Sequence, residues 1–253
     1  MSPCRPFQFP LLSIIEVHSL PTTMDQEETR AEDEKQNGVR SLASVPKAVV
    51  GRLSLYLREL QFLLRQGCET VSSVQLGKAL GFTDAQVRKD LAYFGQFGYP
   101  GIGYRCGELV TEIKKIMGTD RPWSVALIGC GNLGRALLGY RGFLQKGFKI
   151  IAAFDIDPEK TESDFEGIPV YDIDELGRLA EEFQIRLAIL AVPANAANEV
   201  AQKVSNAGIN GILNFAPVTL NTVEGISSVG VDLAIELEQL CYSVVKKKND
   251  ENS

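Results

Sequence analysis

The chain has 253 residues, of which 45% are hydrophobic and 23% are charged. This composition is typical of globular proteins and excludes collagenous, wholly disordered and disulfide-scaffold chains. The formal net charge of −6, taken as one number, argues against a nucleic-acid partner.

The numbers and positions of histidine and cysteine argue against several further classes of site. The single histidine, His18, argues against histidine-based hydrolases and histidine-rich metal sites. The cysteines are odd in number and form no CxxC pair, so they predict neither a metal site nor a disulfide framework; they are Cys4, Cys68, Cys106, Cys130 and Cys241. No apolar run is long enough to predict a membrane span. We therefore expect a cytoplasmic protein.

The charge is distributed unevenly along the chain. Residues 1–45 have a net charge of −3, lack periodicity and predict a largely disordered tail. Residues 46–105 carry eight basic and four acidic side chains, whereas residues 106–253 carry 14 basic and 21 acidic ones. A basic segment inside an acidic chain indicates a separate binding role for that segment.

The basic segment predicts three helices. Apolar residues recur at helical spacing from Val49 to Leu64, between Pro46 and the helix-stopping Gly67. Ser72 to Gln75 fits a capping box that opens a short helix ending at Gly81. Thr83 to Gln86 predicts a second capping box and a helix that continues to Gly95. Two capped helices joined by a tight turn with glycine predict a helix-turn-helix.

The last of these helices carries Gln86, Arg88, Lys89 and Tyr93 on its outer face. Arginine and glutamine pair with base edges in the major groove of DNA, and lysine suits phosphate. The glycine-rich stretch from Gly95 to Tyr104 predicts a tight loop that resembles the wing of a winged helix.

The second half begins with a nucleotide-binding pattern. A buried strand, Trp123 to Ile128, passes directly into the GxGxxG sequence from Gly129 to Gly134, a helix predicted over Arg135 to Tyr140, and a second strand ending at Asp155. Glycines in this context allow a tight turn, a close approach of pyrophosphate and close helix–strand packing. Asp155 would accept hydrogen bonds from ribose hydroxyls and repel a 2′-phosphate, which favours NAD(H) over NADP(H).

Further βα units follow this motif. The pattern predicts a strand over Leu187 to Val192, a helix over Ala196 to Ala207 and a strand from Gly211 to Phe215. Ala191 to Pro193 and Asn214 to Pro217 fall at the carboxyl ends of predicted strands, where ligands bind in open parallel sheets. Residues that simply end a strand would account for either segment equally well.

The chain closes with an apolar seam on a helix, formed by Leu233, Leu237, Leu240 and Val244. Such a seam needs a partner surface, either in its own domain or in a second subunit. Asp232 precedes this helix and is expected to act at least as its N-cap.

Three functions are compatible with these modules. A DNA-binding module joined to a dinucleotide domain predicts a sensor. An NAD-dependent oxidoreductase with an accessory helical module is the alternative, but no histidine lies in the predicted cleft, and we interpret the YxxxK spacing of Tyr242 and Lys246 as chance. A CoA-type nucleotide binder is the third hypothesis.

Residues 46–245 closely resemble the Rex family of redox-sensing transcriptional repressors. The resemblance depends mainly on Pro46-Lys47, the run from Gln86 to Gly95, Gly98 to Tyr104, the glycine loop with Phe154 to Asp157, and Gly208 to Pro217. Two departures are Ala92, where the family usually has serine, and Cys130 within the glycine loop.

The resemblance implies an α/β protein with a winged-helix DNA-binding domain (46–121), a Rossmann NAD(H)-binding domain (122–230) and a domain-swapped C-terminal helix (231–253). It implies a homodimer that binds an inverted-repeat operator, is released by NADH and needs no metal. The implied switch residues are Arg58, Tyr140 and Asp232.

The site residues expected from the motifs and the resemblance fall into two sets. The cofactor NAD⁺ or NADH is assigned to Gly129, Cys130, Gly131, Asn132, Leu133, Gly134, Asp155, Ile156, Val192, Pro193, Phe215 and Pro217. DNA is assigned to Ser72, Ser73, Gln86, Arg88, Lys89, Tyr93, Gly101 and Tyr104, in a helix-turn-helix over about Ser54 to Tyr93.

Overall fold

The computed structural model describes residues 45–161, 164–221 and 225–251, the last five of these by their backbone alone. The segment 1–45 that the sequence predicts to be disordered, including His18, lies outside this range except for Val45. The chain divides into two compact units after Cys106. This division falls after the first residue of helix α4 (Cys106–Ile116) and leaves the rest of that helix in the second unit, whereas the domain boundary expected from the sequence lies at residue 121.

In the first unit, the described residues 45–106 contain the helices α1 (Lys47–Arg65), α2 (Ser73–Leu80) and α3 (Asp84–Leu91). Helix α1 buries the face formed by Val49, Leu53, Tyr56, Leu57 and Leu60. It ends at Arg65, and Gly67, two residues later, has a φ of +79° that suits glycine. The Cys68 amide donates back to the Leu63 carbonyl oxygen at 3.0 Å. This is a Schellman-type ending that satisfies a terminal carbonyl group.

The two capping boxes have different outcomes. At α2 the box is complete, because Ser72 Oγ accepts from the Gln75 amide at 3.1 Å and Gln75 Oε1 accepts from the Ser72 amide at 2.8 Å. At α3 the predicted box is wrong. Thr83 Oγ1 accepts from the Gln86 amide, but the Gln86 side chain donates to Asp90 Oδ1 at 2.7 Å instead of reaching back.

Helix α3 is also shorter than predicted. It ends at Leu91 and does not continue to Gly95. The Ala92 amide still bonds four residues back, to the Arg88 carbonyl oxygen, but the two amides after it bond three residues back, Tyr93 to the Asp90 carbonyl at 3.3 Å and Phe94 to the Leu91 carbonyl at 3.0 Å. This tighter turn places Tyr93 beyond the regular helix, since such spacing is typical of 3₁₀ geometry.

A two-stranded antiparallel sheet, β1 (Thr70–Val71) and β2 (Tyr104–Arg105), completes the first unit. The loop before β2 forms a turn in which Tyr99 and Gly103 exchange backbone hydrogen bonds of 2.7 and 3.0 Å. A Cβ atom on Gly103 would lie 2.6 Å from the Val71 carbonyl oxygen, so the loop closes against β1 only because this residue is glycine. The helices and this wing confirm the winged-helix prediction.

The second unit is built on a seven-stranded sheet in the order β5-β6-β4-β3-β7-β8-β9. Strand β5 is antiparallel to β6 and the other pairs are parallel. The strands are β3 (Trp123–Ile128), β4 (Phe148–Asp155), β5 (Asp164–Phe165), β6 (Ile168–Asp172), β7 (Leu187–Leu190), β8 (Gly211–Asn214) and β9 (Ser227–Gly230). The order reverses between β3 and β7, which confirms the predicted Rossmann arrangement and places its switch point there.

Helices cover the two faces of this sheet unequally. One face packs against α7 (Leu176–Glu182) and α8 (Ala197–Asn206). The other packs against α5 (Asn132–Leu138) and α6 (Gly142–Gln145). Next to α6, this second face leaves a groove of about 350 Å³ with apolar walls that include Leu187, Ile189, Leu213 and Val229.

The chain ends in α9 (Leu233–Glu251). The Asp232 carboxylate accepts from the Ala234 amide at 2.9 Å and the Ile235 amide at 3.3 Å, which confirms its role as N-cap. The predicted seam of α9 is exposed in the single chain, with Leu237 at 63% and Val244 at 60% of full exposure.

Candidate functional site

A cavity of about 660 Å³ lies at the carboxyl ends of β3, β4, β7 and β8. Ten of the twelve residues assigned to the cofactor line it, namely Gly129, Gly131, Asn132, Leu133, Asp155, Ile156, Val192, Pro193, Phe215 and Pro217. Cys130 and Gly134 do not. The residues that come together here lie at the switch point of the sheet, where such folds bind ligands.

The three glycines of the loop have different physical tasks. Gly129 has a φ of +96°, and a Cβ atom there would lie 2.6 Å from the Ala191 carbonyl oxygen. A Cβ atom on Gly134 would collide with the Gly129 carbonyl oxygen, so this glycine permits the close packing of α5 on β3. Gly131 has open space around its Cβ position, consistent with room for a ligand beside the backbone.

The amino end of α5 opens onto this cavity. The first hydrogen bond of the helix runs from the Arg135 amide to the Gly131 carbonyl oxygen at 2.9 Å. Amides before Arg135 in the first turn therefore have no partner within the helix and are oriented for an anion.

Cys130 does not line the cavity but contacts Asp155, which does. Its side chain is fully buried, and its backbone amide donates to Asp155 Oδ2 at 2.7 Å. Burial, together with the negative charge of Asp155, raises the pKa of the Cys130 thiol to about 11. The residue thus positions the carboxylate and keeps a neutral thiol.

Asp155 is itself 7% exposed and belongs to a charged group that the sequence analysis missed. Its Oδ1 accepts from the Asp157 amide at 3.0 Å, and Lys160 Nζ lies 3.4 Å from its Oδ2 and 3.1 Å from Asp157 Oδ2. Asp157 and Lys160 also line the cavity. Their spacing in the sequence is that of an ordinary polar turn, so no sequence signal distinguished them.

Asn214, at the end of β8, shapes the opposite side of the cavity. Its side-chain Nδ2 donates to the carbonyl oxygens of Ala216 at 3.2 Å and Val218 at 2.9 Å, and its Oδ1 accepts from the Ala216 amide at 3.0 Å. These bonds fix the loop that carries Phe215 and Pro217. The sequence pattern places Asn214 with this loop at the end of a predicted strand, but it gives no sign of the hydrogen bonds by which Asn214 holds the loop.

The residues assigned to DNA lie on α2, α3 and the wing. Arg88 and Lys89 are exposed, and Arg88 Nη1 contacts Asp84 Oδ2 at 2.7 Å and Ser73 Oγ at 3.1 Å. Gln86 is half-buried, and Gly101 lies exposed in the turn of the wing.

Two of these assigned residues have a partly structural environment. Tyr104 is only 7% exposed, and burial raises the pKa of its hydroxyl group. Tyr93 lies in the turn after α3 and is half-buried. Ser72 also has a structural role, since its side chain caps α2.

A buried charged cluster beneath α3 was not foreseen from the sequence. Asp90 is fully buried and accepts from Arg52 Nη2 at 2.8 Å, from the Tyr56 hydroxyl at 2.7 Å and from Gln86 Nε2 at 2.7 Å. Burial alone would raise the pKa of Asp90, but these hydrogen bonds outweigh it and lower that pKa. The cluster ties the outer helix to α1.

The three residues implied to act as a switch lie on different elements. Arg58 is exposed on α1, and Tyr140 is 58% exposed after α5, with its ring packed edge-on against Phe143. Asp232 caps α9. Neither Tyr140 nor Asp232 lines the nucleotide cavity of its own chain.

The described residues contain neither a candidate metal site nor a candidate membrane-spanning helix. Within 45–161, 164–221 and 225–251, no three histidine, cysteine or acidic side chains group closely enough to hold a metal ion. No helix in these ranges is both long and apolar enough to cross a membrane.

Comparisons with known protein families match both units. Residues 120–218 match the model described as "CoA binding domain", and residues 44–92 match that of a "Putative DNA-binding protein N-terminus". A redox-sensing transcriptional repressor Rex from Syntrophobacter fumaroxidans is 44% identical over 201 residues, which cover 79% of this chain and 96% of the relative. Its counterpart from Streptomyces coelicolor is 41% identical over 207 residues, 82% of this chain and 80% of that one.

Solved structures agree with these relatives. The crystal structure of RSP, a Rex-family repressor, in complex with β-NAD⁺ and operator DNA is similar with a TM-score of 0.76 and 32% identity, over 82% of this chain and 96% of that one. The structure of RSP with β-NADH gives a TM-score of 0.75 and 31% identity, over 83% and 98% of the two chains.

Proposed function

This chain belongs to the Rex family of redox-sensing transcriptional repressors, and we propose that it binds an inverted-repeat operator as a homodimer and leaves it when NADH replaces NAD⁺. The observation that carries the proposal is the presence, in one chain, of a winged helix with an exposed cationic helix and a dinucleotide cavity. We assign the first role to residues 46–121, the second to 122–230 and dimerisation to 231–253.

The cavity suits NAD⁺ or NADH in three places. The amides at the start of α5 would hold the pyrophosphate, beside the open Cβ position of Gly131. Asp155 would accept from the ribose hydroxyls, since a carboxylate offers more acceptor sites than its present donors occupy. The nicotinamide end would lie toward Val192, Pro193, Phe215 and Pro217. The cofactor supplies the redox state that the protein reads.

The exposed surface of the first unit suits DNA. Arg88 and Lys89 project from α3, and residues 46–105 have an excess of four basic side chains. We assign base contacts to Arg88 and backbone contacts to Lys89 and the wing, because guanidinium groups match base edges whereas ammonium groups suit phosphate. Gln86 is assigned to a base only through the part of its amide group that Asp90 does not engage. A protein with this partner acts in the cytoplasm.

Two exposed apolar surfaces support the dimer. The seam of α9 and the open groove over β7, β8 and β9 both lack a cover within the described chain, and exposed apolar areas of this kind mark interfaces. We assign the α9 surface to exchange between two subunits. Arg58, Tyr140 and Asp232 would then relay the redox state, because NADH shifts the dimer only if it binds the two conformations with different free energies.

A regulatory role is favoured over catalysis by the chemistry of the cavity wall. Among the described residues that line it, the ionisable ones are Asp155, Asp157 and Lys160, all at the ribose end. The wall formed by Val192, Pro193, Phe215 and Pro217 is apolar. A hydride transfer to a carbonyl needs a proton donor near the nicotinamide, and this wall offers none.

A gel shift with the operator, first with NAD⁺ and then with NADH, tests the proposal. We expect a complex with NAD⁺ that NADH dissociates, and binding insensitive to NADH would contradict it. A substrate-dependent change in NADH absorbance would support the oxidoreductase instead. Calorimetry with CoA and NADH separates the third hypothesis, since we expect heat from NADH alone.

A further inference from the structure

The turn after β4 places an ammonium group inside the nucleotide cavity. Lys160 Nζ lies 3.1 Å from Asp157 Oδ2 and 3.4 Å from Asp155 Oδ2, and all three side chains line the cavity. Two carboxylates and one ammonium leave this wall with one net negative charge.

The backbone fixes this arrangement. Asp157 Oδ1 accepts from the Glu159 amide at 3.1 Å, and the Asp157 carbonyl oxygen accepts from the Lys160 amide at 3.0 Å. The turn therefore returns the Lys160 side chain toward the end of β4. The contact with Asp157 raises the pKa of Lys160, and the same contact lowers the pKa of Asp157. Both groups remain charged at neutral pH.

An ammonium group beside a ribose site has a specific chemical consequence. A 2′-phosphate carries up to two negative charges, and lysine is a common phosphate-binding residue. In this cavity the ammonium is already held by two carboxylates, so a phosphate would have to displace them and would meet their repulsion. An unphosphorylated ribose needs only an acceptor, and Asp155 provides it.

We propose that Lys160 is a specificity-determining residue for the dinucleotide, a latent 2′-phosphate anchor that Asp155 and Asp157 hold away from that use. The preference for NAD(H) over NADP(H) then depends on all three residues and not on Asp155 alone. This inference rests on the proposed binding of NAD(H) and specifies how that site selects its ligand.

Releasing Lys160 tests the inference. Asp157→Asn keeps an oxygen to accept from the Glu159 amide but removes the charge that holds the ammonium. Asp155→Ser removes the other carboxylate. We expect the ratio of the dissociation constants of NADPH and NADH to fall about tenfold in each variant, the worth of one charge-assisted hydrogen bond. Adding Lys160→Ala to either variant should return NADPH affinity to the wild-type level or below.

Fluorescence titration with NADH and NADPH measures both constants on the full-length protein, and thermal unfolding checks that each variant folds. Lys149→Ala is the matched control, because it removes an equal charge from an exposed position on β4 outside this cavity. If NADPH affinity in the Asp157→Asn and Asp155→Ser backgrounds is unchanged by Lys160→Ala while NADH still binds, the inference is overturned. A wild-type protein that binds no NADH would overturn the proposed function as well.

Discussion

The guanidinium group of Arg52 on α1 lies against the fully buried carboxylate of Asp90 on α3, with Nη2 2.8 Å from Oδ1 and Nε 2.5 Å from Oδ2. Both oxygens are engaged by one planar fork, which fixes direction as well as distance. The Tyr56 hydroxyl adds a third donor on Oδ2. Within the first unit, this pair joins α1 to α3, the helix that we assign to DNA.

Removing the guanidinium should destabilise the first unit. Arg52→Met leaves the Asp90 charge buried without its main partner, and breaking such a pair costs about 3 kcal/mol or more. We expect the midpoint of urea unfolding, followed by circular dichroism, to shift to a lower urea concentration. The fluorescence of Trp123, the only tryptophan of the chain, reports on the second unit and should change less. Lys115→Ala, which breaks an exposed ion pair with Glu112, is the control and should leave both transitions in place.

The same carboxylate should make stability depend on acid pH. Because the pKa of Asp90 is lower in the folded chain than its ordinary value, its contribution is complete above the unfolded pKa of about 3.9. That contribution is lost as pH falls from there through the folded pKa. We expect the difference in free energy of unfolding between wild type and Asp90→Asn to shrink below about pH 4. Two curves that stay parallel from pH 7 to pH 3 would contradict this assignment.

Arg88→Ala should weaken operator binding and leave NADH affinity unchanged. A base-reading arginine contributes about 1–3 kcal/mol, and the exposed Arg88 guanidinium is pre-oriented by Asp84 and Ser73. Fluorescence anisotropy with labelled operator measures the loss. Arg178→Ala, an exposed arginine paired with Glu175 and Glu182 in the second unit, is the matched control and should bind DNA as wild type does. Equal operator affinity for Arg88→Ala would refute the contact.

Two alanine substitutions in the glycine loop should separate folding from binding. Gly134→Ala places a methyl group against the Gly129 carbonyl oxygen, and we expect a loss of about 1–3 kcal/mol in stability, as for other overpacked sites. Gly131→Ala meets no protein atom within 4 Å, so it should fold normally but weaken NADH binding, because it adds a methyl group to a residue that lines the cavity. Thermal unfolding measures the stability of both variants, and NADH titration measures their affinity. If the two variants lose stability and NADH affinity to the same extent, the separate roles of the two glycines are contradicted.

Cys130 should resist thiol reagents in the folded protein. Its side chain is buried and its pKa is raised to about 11 by burial, and only the thiolate is a good nucleophile. Cys68 is exposed, lies outside the helix assigned to the dimer, and should be labelled first by iodoacetamide at pH 8. Peptide mass spectrometry follows each site separately. Rapid labelling of Cys130 without unfolding would instead indicate a thiol available for redox chemistry.

The central elements of the fold were predictable because their signals are local. The strand before Gly129, the glycine loop and Asp155 follow from hydrophobic runs and one motif, and the structure brings them to one cavity. Strands β5, β6 and β9 were not foreseen. They are short, and all four residues of β9 are exposed, so their pairing depends on neighbouring strands and not on their own pattern.

The parts of the site that escaped prediction depend on contacts between distant residues. Asp90 looks like a surface residue in the run Arg88-Lys89-Asp90, and only the position of α1 buries it against Arg52. The Asp90 carboxylate also accepts from the Gln86 side chain, which therefore does not reach back to complete the predicted capping box. Lys160 and Asn214 likewise acquire their roles from the return of a loop to the end of a strand.

The link between α1 and α3 limits what a redox signal is able to change at the promoter. Because the buried Arg52–Asp90 pair holds α1 and α3 together, the two helices should move as one rigid body. Such a movement changes the position of α3 on DNA but not the bases that α3 prefers. NADH should therefore weaken good and poor operators by the same factor. The ranking of target promoters stays constant, and the NADH/NAD⁺ ratio decides only how far down that ranking repression extends.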